Sequence, residues 1–180
     1  CGDQRLTYGE LADRVNRVGN ALKTVLDVRR EERVLLLMLD GPELITAFFA
    51  AIKIGAIPVP LNTRWTAADY EFVLHDSSAH VLIVSQELLG EAMGAIRTAR
   101  SLRHVVVAGA AANVEGWSSF DALQTAASAV LEAEPTNTDA PAFWLYSSGS
   151  TGQPKACVHL QHDMRVCAET YASAILGIHA

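Results

Sequence analysis

Short apolar segments that alternate with helical periodicity constrain the fold of this chain more than any other feature. Residues 33–39 and 56–59 are almost wholly apolar, which is typical of strands covered on both faces. Residues 81–84 and 104–107 repeat the pattern further along the chain. Because helical patterns separate these segments, their order predicts an α/β fold: a layered, largely parallel sheet with flanking helices.

The helices between the strands carry their own start and stop signals. Thr7 and Glu10 have the spacing of a capping box, and apolar residues then recur every three or four positions up to residue 25. Pro42 suits the first turn of a helix that runs to about residue 54, with Gly55 as its C-terminal cap. Further helices are predicted at residues 66–74, 87–97, 120–129 and 163–176.

Composition and charge argue against a membrane-spanning protein and against a nucleic-acid-binding protein. Half of the residues are hydrophobic, yet no apolar run reaches the length needed to span a membrane. The 14 Lys and Arg against 20 Asp and Glu give a net charge of −6, which disfavours a nucleic-acid surface. Three cysteines do not make a disulfide framework and favour a reducing compartment. We therefore expect a soluble, cytoplasmic protein with no membrane span and no nucleic-acid partner.

A hydroxyl- and glycine-rich loop at residues 147–155 is the strongest functional signal. It reads Ser-Ser-Gly-Ser-Thr-Gly-Gln-Pro-Lys and lies between two β-prone segments, residues 143–146 and 157–160. Glycines allow backbone N–H groups to approach an anion closely, hydroxyls add donors, and Lys155 adds a compact positive charge. The loop therefore indicates a site for the phosphates of a nucleoside triphosphate.

The loop differs from the P-loop of the common nucleotide-hydrolysing enzymes. That motif has two glycines five positions apart, followed directly by lysine at the start of a helix. Here the glycines are three positions apart, and Pro154 precedes Lys155. For these nine residues taken alone, a solvated Ser/Gly surface loop or linker is the alternative.

Three stretches of the chain together resemble one protein family. The wording of residues 146–155, Tyr-Ser-Ser-Gly-Ser-Thr-Gly-Gln-Pro-Lys, resembles the phosphate loop of the adenylate-forming superfamily of acyl-CoA synthetases, luciferases and peptide-synthetase adenylation domains. Residues 6–17 resemble the first helix of that family, and residues 50–62 resemble its helix–strand core element. The segment before the loop is most similar to benzoate-type aryl-CoA ligases.

The resemblance implies an ATP-dependent carboxylate–CoA ligase that uses ATP, Mg²⁺ and CoA. An aromatic or other carboxylic acid would be converted to an acyl-adenylate, and the CoA thiol would then take the acyl group. Residues that match the family's loop would bind the ATP phosphates: Ser147, Ser148, Gly149, Ser150, Thr151, Gly152 and Lys155. One departure is Ala156, which stands where the family usually has glycine and bears on the flexibility of the loop's exit.

Members of the resembled family are much longer than 180 residues. We therefore expect residues 1–180 to be a fragment, the N-terminal portion of the large domain of an adenylate-forming enzyme. A polar, proline-bounded connector near residues 135–141 would precede the phosphate loop at residues 146–155. By the resemblance, the adenine site, the magnesium-binding acid, the acyl pocket and the catalytic lysine lie beyond residue 180. We assign no catalytic residue to this chain and expect it to be inactive as a ligase by itself.

Two other functions fit the same residues. One keeps adenylation but changes the acyl group or acceptor, as in a fatty-acyl ligase or a peptide-synthetase module. The other is a non-catalytic nucleotide-binding module on the same fold. A homo-oligomer remains open for all of them.

Two further clusters after the loop have a structural interpretation. Cys157, His159 and His162 could suggest zinc, but a fourth ligand with matching spacing is missing, so core or loop roles are favoured and no metal site is predicted.

Glu169 and Tyr171 lie in a segment that resembles the helix after the loop in benzoate-type ligases. Because Tyr171, Ile175 and Leu176 have helical spacing, packing in a core is favoured over a substrate pocket. Trp65 and Trp144 are likewise predicted to be packing residues.

Overall fold

The computed structural model describes residues 5–109, 116–148 and 152–178. The helices and strands follow one another as α1 (Tyr8–Thr24), β1 (Arg33–Leu37), α2 (Pro42–Lys53), β2 (Ile57–Pro60), α3 (Ala67–Ser77), β3 (Val81–Ser85), α4 (Leu89–Thr98), β4 (His104–Ala108), β5 (Ser118–Ser119), α5 (Phe120–Ala126), β6 (Pro141–Ser148), β7 (Pro154–Leu160) and α6 (Gln161–Cys167). A short 3₁₀ turn precedes α4, and a π-helical turn, Ala168–Ser173, follows α6.

Five strands form one parallel sheet in the order β2-β1-β3-β4-β5. Leu35 lies opposite Leu82, and Leu36 lies opposite Ile83, so successive residues alternate between the two faces. The predicted α/β fold with a largely parallel sheet is confirmed.

Helices cover both faces of the sheet, which is why its strands are almost wholly apolar. Leu36 and Ile83 pack with α1, α2 and α5, whereas Leu35 and Leu82 pack with α3 and α4. All four of these side chains are no more than 1% exposed. The core is therefore two apolar layers separated by the sheet.

The predicted helix signals operate as expected. The N–H of Glu10 donates to Thr7 Oγ1 at 3.2 Å, and the N–H of Thr7 donates to Glu10 Oε2 at 2.8 Å. Thr66 and Asp69 form the same reciprocal pair at the start of α3. Gly55 follows α2 with φ +73°, a conformation that glycine adopts without strain.

The two strands that flank the hydroxyl- and glycine-rich loop lie outside the parallel sheet. β6 and β7 pair antiparallel as a separate hairpin, with Trp144 opposite Val158 and Leu145 opposite Cys157. Trp65, Trp144 and Tyr146 pack against the apolar layer that contains α3, which confirms the predicted packing roles of both tryptophans.

Residues 127–134, the α1-bound segment, run back along the first helix after α5 ends at Ala126. Side chains of α1 donate to their carbonyl oxygens: Asn16 Nδ2 to Ala129 at 2.7 Å and Arg17 Nη1 to Ala127 at 2.6 Å. The N–H of Glu134 donates to the carbonyl of Lys53 at 2.8 Å. The segment thus leads the chain from the sheet to the hairpin along a path held by polar contacts.

The end of the described chain departs from the prediction. The helix predicted over residues 163–176 begins at Gln161 and changes to π-helical geometry at Ala168. Tyr171, Ile175 and Leu176 are 52%, 70% and 54% exposed, so their predicted packing in a core is wrong for the residues described. Among the described residues, no helix is both long enough and apolar enough to cross a membrane.

Candidate functional site

The candidate site is the tip of the β6–β7 hairpin. Ser147 at the end of β6 lies directly opposite Lys155 at the start of β7, and Ser148 lies opposite Pro154. Residues opposite each other on an antiparallel pair project from the same face of the sheet. The structure therefore brings the first hydroxyl and the lysine of the predicted loop together across the hairpin stem.

The centre of the loop lies outside the described residues. Gly149, Ser150 and Thr151 belong to it, and only the backbone of Ser148 is described. Gly152, which closes the loop, has φ +87°. In this left-handed region a side chain would strain the backbone, which explains glycine at this position.

Lys155 supplies an accessible positive charge at the stem. Both Lys155 and Ser147 are exposed. Among residues 5–109, 116–148 and 152–178, no carboxylate forms an ion pair with Lys155. A lysine without a competing carboxylate, next to hydroxyl donors and a glycine backbone, is chemically suited to an anion such as phosphate.

Tyr146, immediately before the loop, joins the hairpin to α3. Its hydroxyl donates to Asp76 Oδ2 at 2.6 Å, and its ring meets the Trp65 ring edge-on with centroids 6.3 Å apart. Burial raises the pKa of the Tyr146 hydroxyl, and the hydrogen bond to Asp76 raises it further. The hydroxyl therefore remains protonated and donates at neutral pH.

An aromatic stack supports the opposite end of the hairpin. The imidazole of His159 lies parallel to the Phe143 ring, with centroids 4.5 Å apart and an interplanar angle of 10°. Phe143 in turn contacts Phe48 of α2, with the two ring centroids 5.4 Å apart. This stack attaches the hairpin to the helix layer on α2.

Asp163 connects the two histidines that follow the loop. His159 Nδ1 lies 3.2 Å from Asp163 Oδ2, and His162 Nε2 lies 3.2 Å from Asp163 Oδ1. His162 Nδ1 also lies 2.9 Å from the carbonyl oxygen of Thr138. The backbone N–H of Leu160 is the main cause of the lowered pKa of Asp163, and the bond to His159 contributes.

The histidines therefore contact a carboxylate and the chain before β6, and Cys157 is not among their partners. In the described part of the chain, no three His, Cys, Asp or Glu side chains are grouped so that they could hold a metal ion.

Sequence reasoning identified the loop but not its supports. The motif predicted Ser147 and Lys155 within the loop, but they lie in the paired strands β6 and β7, and Gly152 lies between these strands. Asp76 was missed, because it is 70 residues from Tyr146 and lies in the last turn of an ordinary helix. Its position after the apolar residues of α3 was the available signal, and that signal is common to many surface carboxylates.

A family model and individual relatives assign the chain to the same family. The family described as AMP-binding enzyme matches residues 1–177. The chain is 49% identical over 172 residues to the benzoate–CoA ligase of Thauera aromatica, covering 96% of this chain and 32% of that protein. It is 37% identical over 180 residues to the 3-hydroxybenzoate–CoA ligase of Aromatoleum sp., covering 98% of this chain and 33% of that protein.

Solved structures agree with the sequence relatives. The anthranilate CoA ligase AuaEII, in complex with anthranoyl-AMP, superposes with a TM-score of 0.95 at 37% identity, covering 99% of this chain and 34% of that one. A benzoate CoA ligase from Burkholderia xenovorans LB400 superposes with a TM-score of 0.85 at 38% identity, covering 96% and 33%. The chain thus spans about a third of the length of the relatives it matches.

Proposed function

We propose that the protein to which this chain contributes is an ATP-dependent aromatic acid–CoA ligase, because the chain belongs to the AMP-binding enzyme family. The observation that carries the proposal is the 49% identity to a benzoate–CoA ligase over nearly the whole chain. The hairpin geometry supports it, since Ser147 and Lys155 lie opposite each other at the stem of a glycine-closed loop.

The proposed reaction has two steps. A carboxylate oxygen of the acid attacks the α-phosphorus of ATP, and the bond to the β-phosphate oxygen breaks, giving an acyl-adenylate and pyrophosphate. The thiol of CoA then loses its proton and attacks the acyl carbonyl, releasing AMP and forming a thioester. Positioning of the reactants and neutralisation of charge dominate such a transfer.

The part proposed for this chain is to hold the leaving pyrophosphate. Hydroxyls and backbone N–H groups of residues 147–152 would donate to the β- and γ-phosphate oxygens, and Lys155 would offset their charge. These are the residues predicted from the motif: Ser147, Ser148, Gly149, Ser150, Thr151, Gly152 and Lys155. Mg²⁺ would supply further charge neutralisation, but the described residues offer no group of three metal ligands, so no metal ligand is assigned to them.

The substrate class follows from the relatives. Benzoate and 3-hydroxybenzoate are the acids in the names of the two relatives reported above, which favours an aromatic acid. A fatty-acyl ligase is the nearest alternative, since a long-chain-fatty-acid–CoA ligase of Mycobacterium tuberculosis is 32% identical over 176 residues.

The proposal extends to domain organisation and location. Since the chain spans about a third of its relatives, we place residues 1–180 in the N-terminal portion of the large domain, with a connector at residues 135–141 before the loop. Adenylation would then require residues outside this chain, and the isolated chain would be inactive. The free, exposed thiols of Cys157 and Cys167 favour a reducing, cytoplasmic location.

The test is a pyrophosphate-release assay on the complete protein, with benzoate, hydroxybenzoates and a long-chain fatty acid compared side by side. Substitution Lys155→Ala is expected to lower adenylation at least about 100-fold, the typical effect of removing one charge-stabilising donor. Lys23→Ala is the matched control. Lys23 is a half-exposed lysine of α1 whose Nζ lies 3.5 Å from Glu134 Oε2.

Each result has a defined meaning. Absence of adenylation with every aromatic acid would overturn the substrate class, and preference for the fatty acid would replace it. Equal rates for Lys155→Ala and Lys23→Ala would show that the loop does not hold the phosphates.

A further inference from the structure

The residue just before the phosphate loop has an unusual attachment. Tyr146 lies near the end of β6, and its hydroxyl reaches across to Asp76 near the end of α3. The O···O distance is 2.6 Å, in the range of a charge-assisted hydrogen bond from a hydroxyl to a carboxylate. The bond joins the hairpin to a helix on the parallel sheet.

The ring of Tyr146 is held as firmly as its hydroxyl. Trp65, from the loop after β2, meets it edge-on at an interplanar angle of 83°, and Trp65 also contacts Tyr70 of α3. One edge-on contact with Trp65, whose own ring is held against Tyr70, and one short hydrogen bond therefore define where the side chain of Tyr146 lies. Aromatic side chains have few rotatable bonds, so such contacts restrict the backbone that carries them.

The position of Tyr146 sets the position of the loop stem. Tyr146 pairs with Ala156, and the next pair along the hairpin is Ser147 with Lys155. A displacement of Tyr146 would therefore move both proposed phosphate-binding side chains together. Loss of alignment by about 1 Å can lower the rate of a positioned reaction by 100-fold.

We propose that Tyr146 and Asp76 are positioning residues for the phosphate loop, and that their hydrogen bond fixes Ser147 and Lys155 relative to α3. This inference rests on the proposed function. If it is correct, the loop motif also requires a carboxylate on α3 that accepts a hydrogen bond from the tyrosine hydroxyl.

The exposure of Asp76 indicates that its hydrogen bond positions the loop and contributes little to the stability of the fold. Asp76 is exposed to solvent, and exposed polar pairs contribute little to the free energy of folding. Removal of the bond is thus expected to leave the fold intact while the loop stem loses its fixed position.

The first experiment compares two tyrosine variants of the complete protein. Tyr146→Phe keeps the ring and removes the hydroxyl, and is expected to raise the KM for ATP about tenfold, because the loop stem would lose its fixed position. The KM for the acid should change less than twofold. Tyr70→Phe is the matched control, because the Tyr70 hydroxyl lies in the same aromatic cluster but donates to the carbonyl of Asn62 at 3.1 Å.

The second experiment tests the acceptor. Asp76→Ala should reproduce the effect of Tyr146→Phe, and combining the two substitutions should add little, because both remove the same bond. Asp76→Asn retains an oxygen acceptor and should restore most of the wild-type KM for ATP. Fully additive effects, or an Asp76→Asn variant as impaired as Asp76→Ala, would overturn the assignment of this bond.

Hydrogen exchange gives a readout that does not depend on activity. In Tyr146→Phe, the amides of Gly152, Gln153 and Lys155 should exchange at least about fivefold faster, with β3 unchanged, because local opening reports local stability. Unchanged exchange at these amides would refute the inference even if the protein adenylates. Faster exchange in a protein that adenylates no acid would support the positioning role and refute only the proposed function.

Discussion

The parallel sheet and the β6–β7 hairpin are held in place by different kinds of interaction. In the sheet, Val34 and Leu36 are at most 1% exposed and are surrounded by apolar side chains. In the hairpin, Leu145 and Val158 are 41% and 50% exposed. The sheet is therefore buried on both faces, whereas the hairpin is buried only in part, through Ala142, Trp144 and Tyr146.

The difference explains why the proposed chemistry lies on the hairpin. A strand buried on both faces offers no accessible polar group, while the hairpin presents Ser147 and Lys155 to solvent. A rigid scaffold that carries exposed functional groups on a short loop is a common arrangement in proteins. The contacts of Tyr146, Phe143 and His162 add to the partial burial that holds the hairpin in place.

The largest effect that separates the two regions is expected from truncating a core side chain. Ile83→Ala should lower the free energy of unfolding by about 2–5 kcal/mol, because it removes buried methyl groups and leaves a cavity. Val158→Ala, a truncation at a half-exposed position of the hairpin, should change it by less than about 0.5 kcal/mol. Denaturant unfolding of the complete protein measures both, and equal losses would show that the hairpin is as well packed as the sheet.

A smaller effect is expected in the α1-bound segment, which links the two regions. Asn16 donates to Ala129 through Nδ2 and accepts from Lys53 Nζ at 2.6 Å through Oδ1. Asn16→Ala should therefore lower the free energy of unfolding by about 1–3 kcal/mol, the typical cost of breaking part-buried hydrogen bonds.

The control for this substitution lies on the same helix. Thr24→Ala removes only a local bond to the carbonyl of Asn20, so its effect should stay within about 0.5 kcal/mol. If the two variants unfold at the same denaturant concentration, the segment is not held by Asn16.

The smallest effect concerns acid pH. Hydrogen bonds from Thr66 lower the pKa of Asp69, which lies in α3 against the parallel sheet. The N–H of Leu160 lowers the pKa of Asp163, which lies in α6 directly after the hairpin. A carboxyl whose pKa is lower in the folded state stabilises that state above its unfolded pKa. This contribution is lost as the pH falls through the folded pKa, below about pH 4.

Comparison of Asp69→Asn with Asp163→Asn assigns this acid sensitivity to one region or the other. Each variant should show a shallower loss of stability between about pH 4 and pH 2 than the wild-type protein. Thermal unfolding across this range measures the slopes. Parallel curves for the wild-type protein and both variants would contradict a stabilising role for either carboxylate.

Much of the fold could be predicted because its signals are local. Thr7 with Glu10 and Thr66 with Asp69 mark helix starts within four residues, and Gly55 marks a helix end by its own backbone conformation. The apolar strand segments indicate burial on both faces, and the loop motif indicates the family. The predicted helix over residues 163–176 was correct in kind, but its start and its π-helical turn were not anticipated.

The sequence alone determined most of the helices, the buried strands, the family and the position of the hydroxyl- and glycine-rich loop, since each depends on residues that are close neighbours in the chain. Tertiary structure decided the strand order, the separation of the hairpin from the parallel sheet, the exposure of Tyr171 and the bond between Tyr146 and Asp76. These features join residues that are far apart in the chain. Their geometry follows from how whole elements pack, and no local pattern of side chains encodes it.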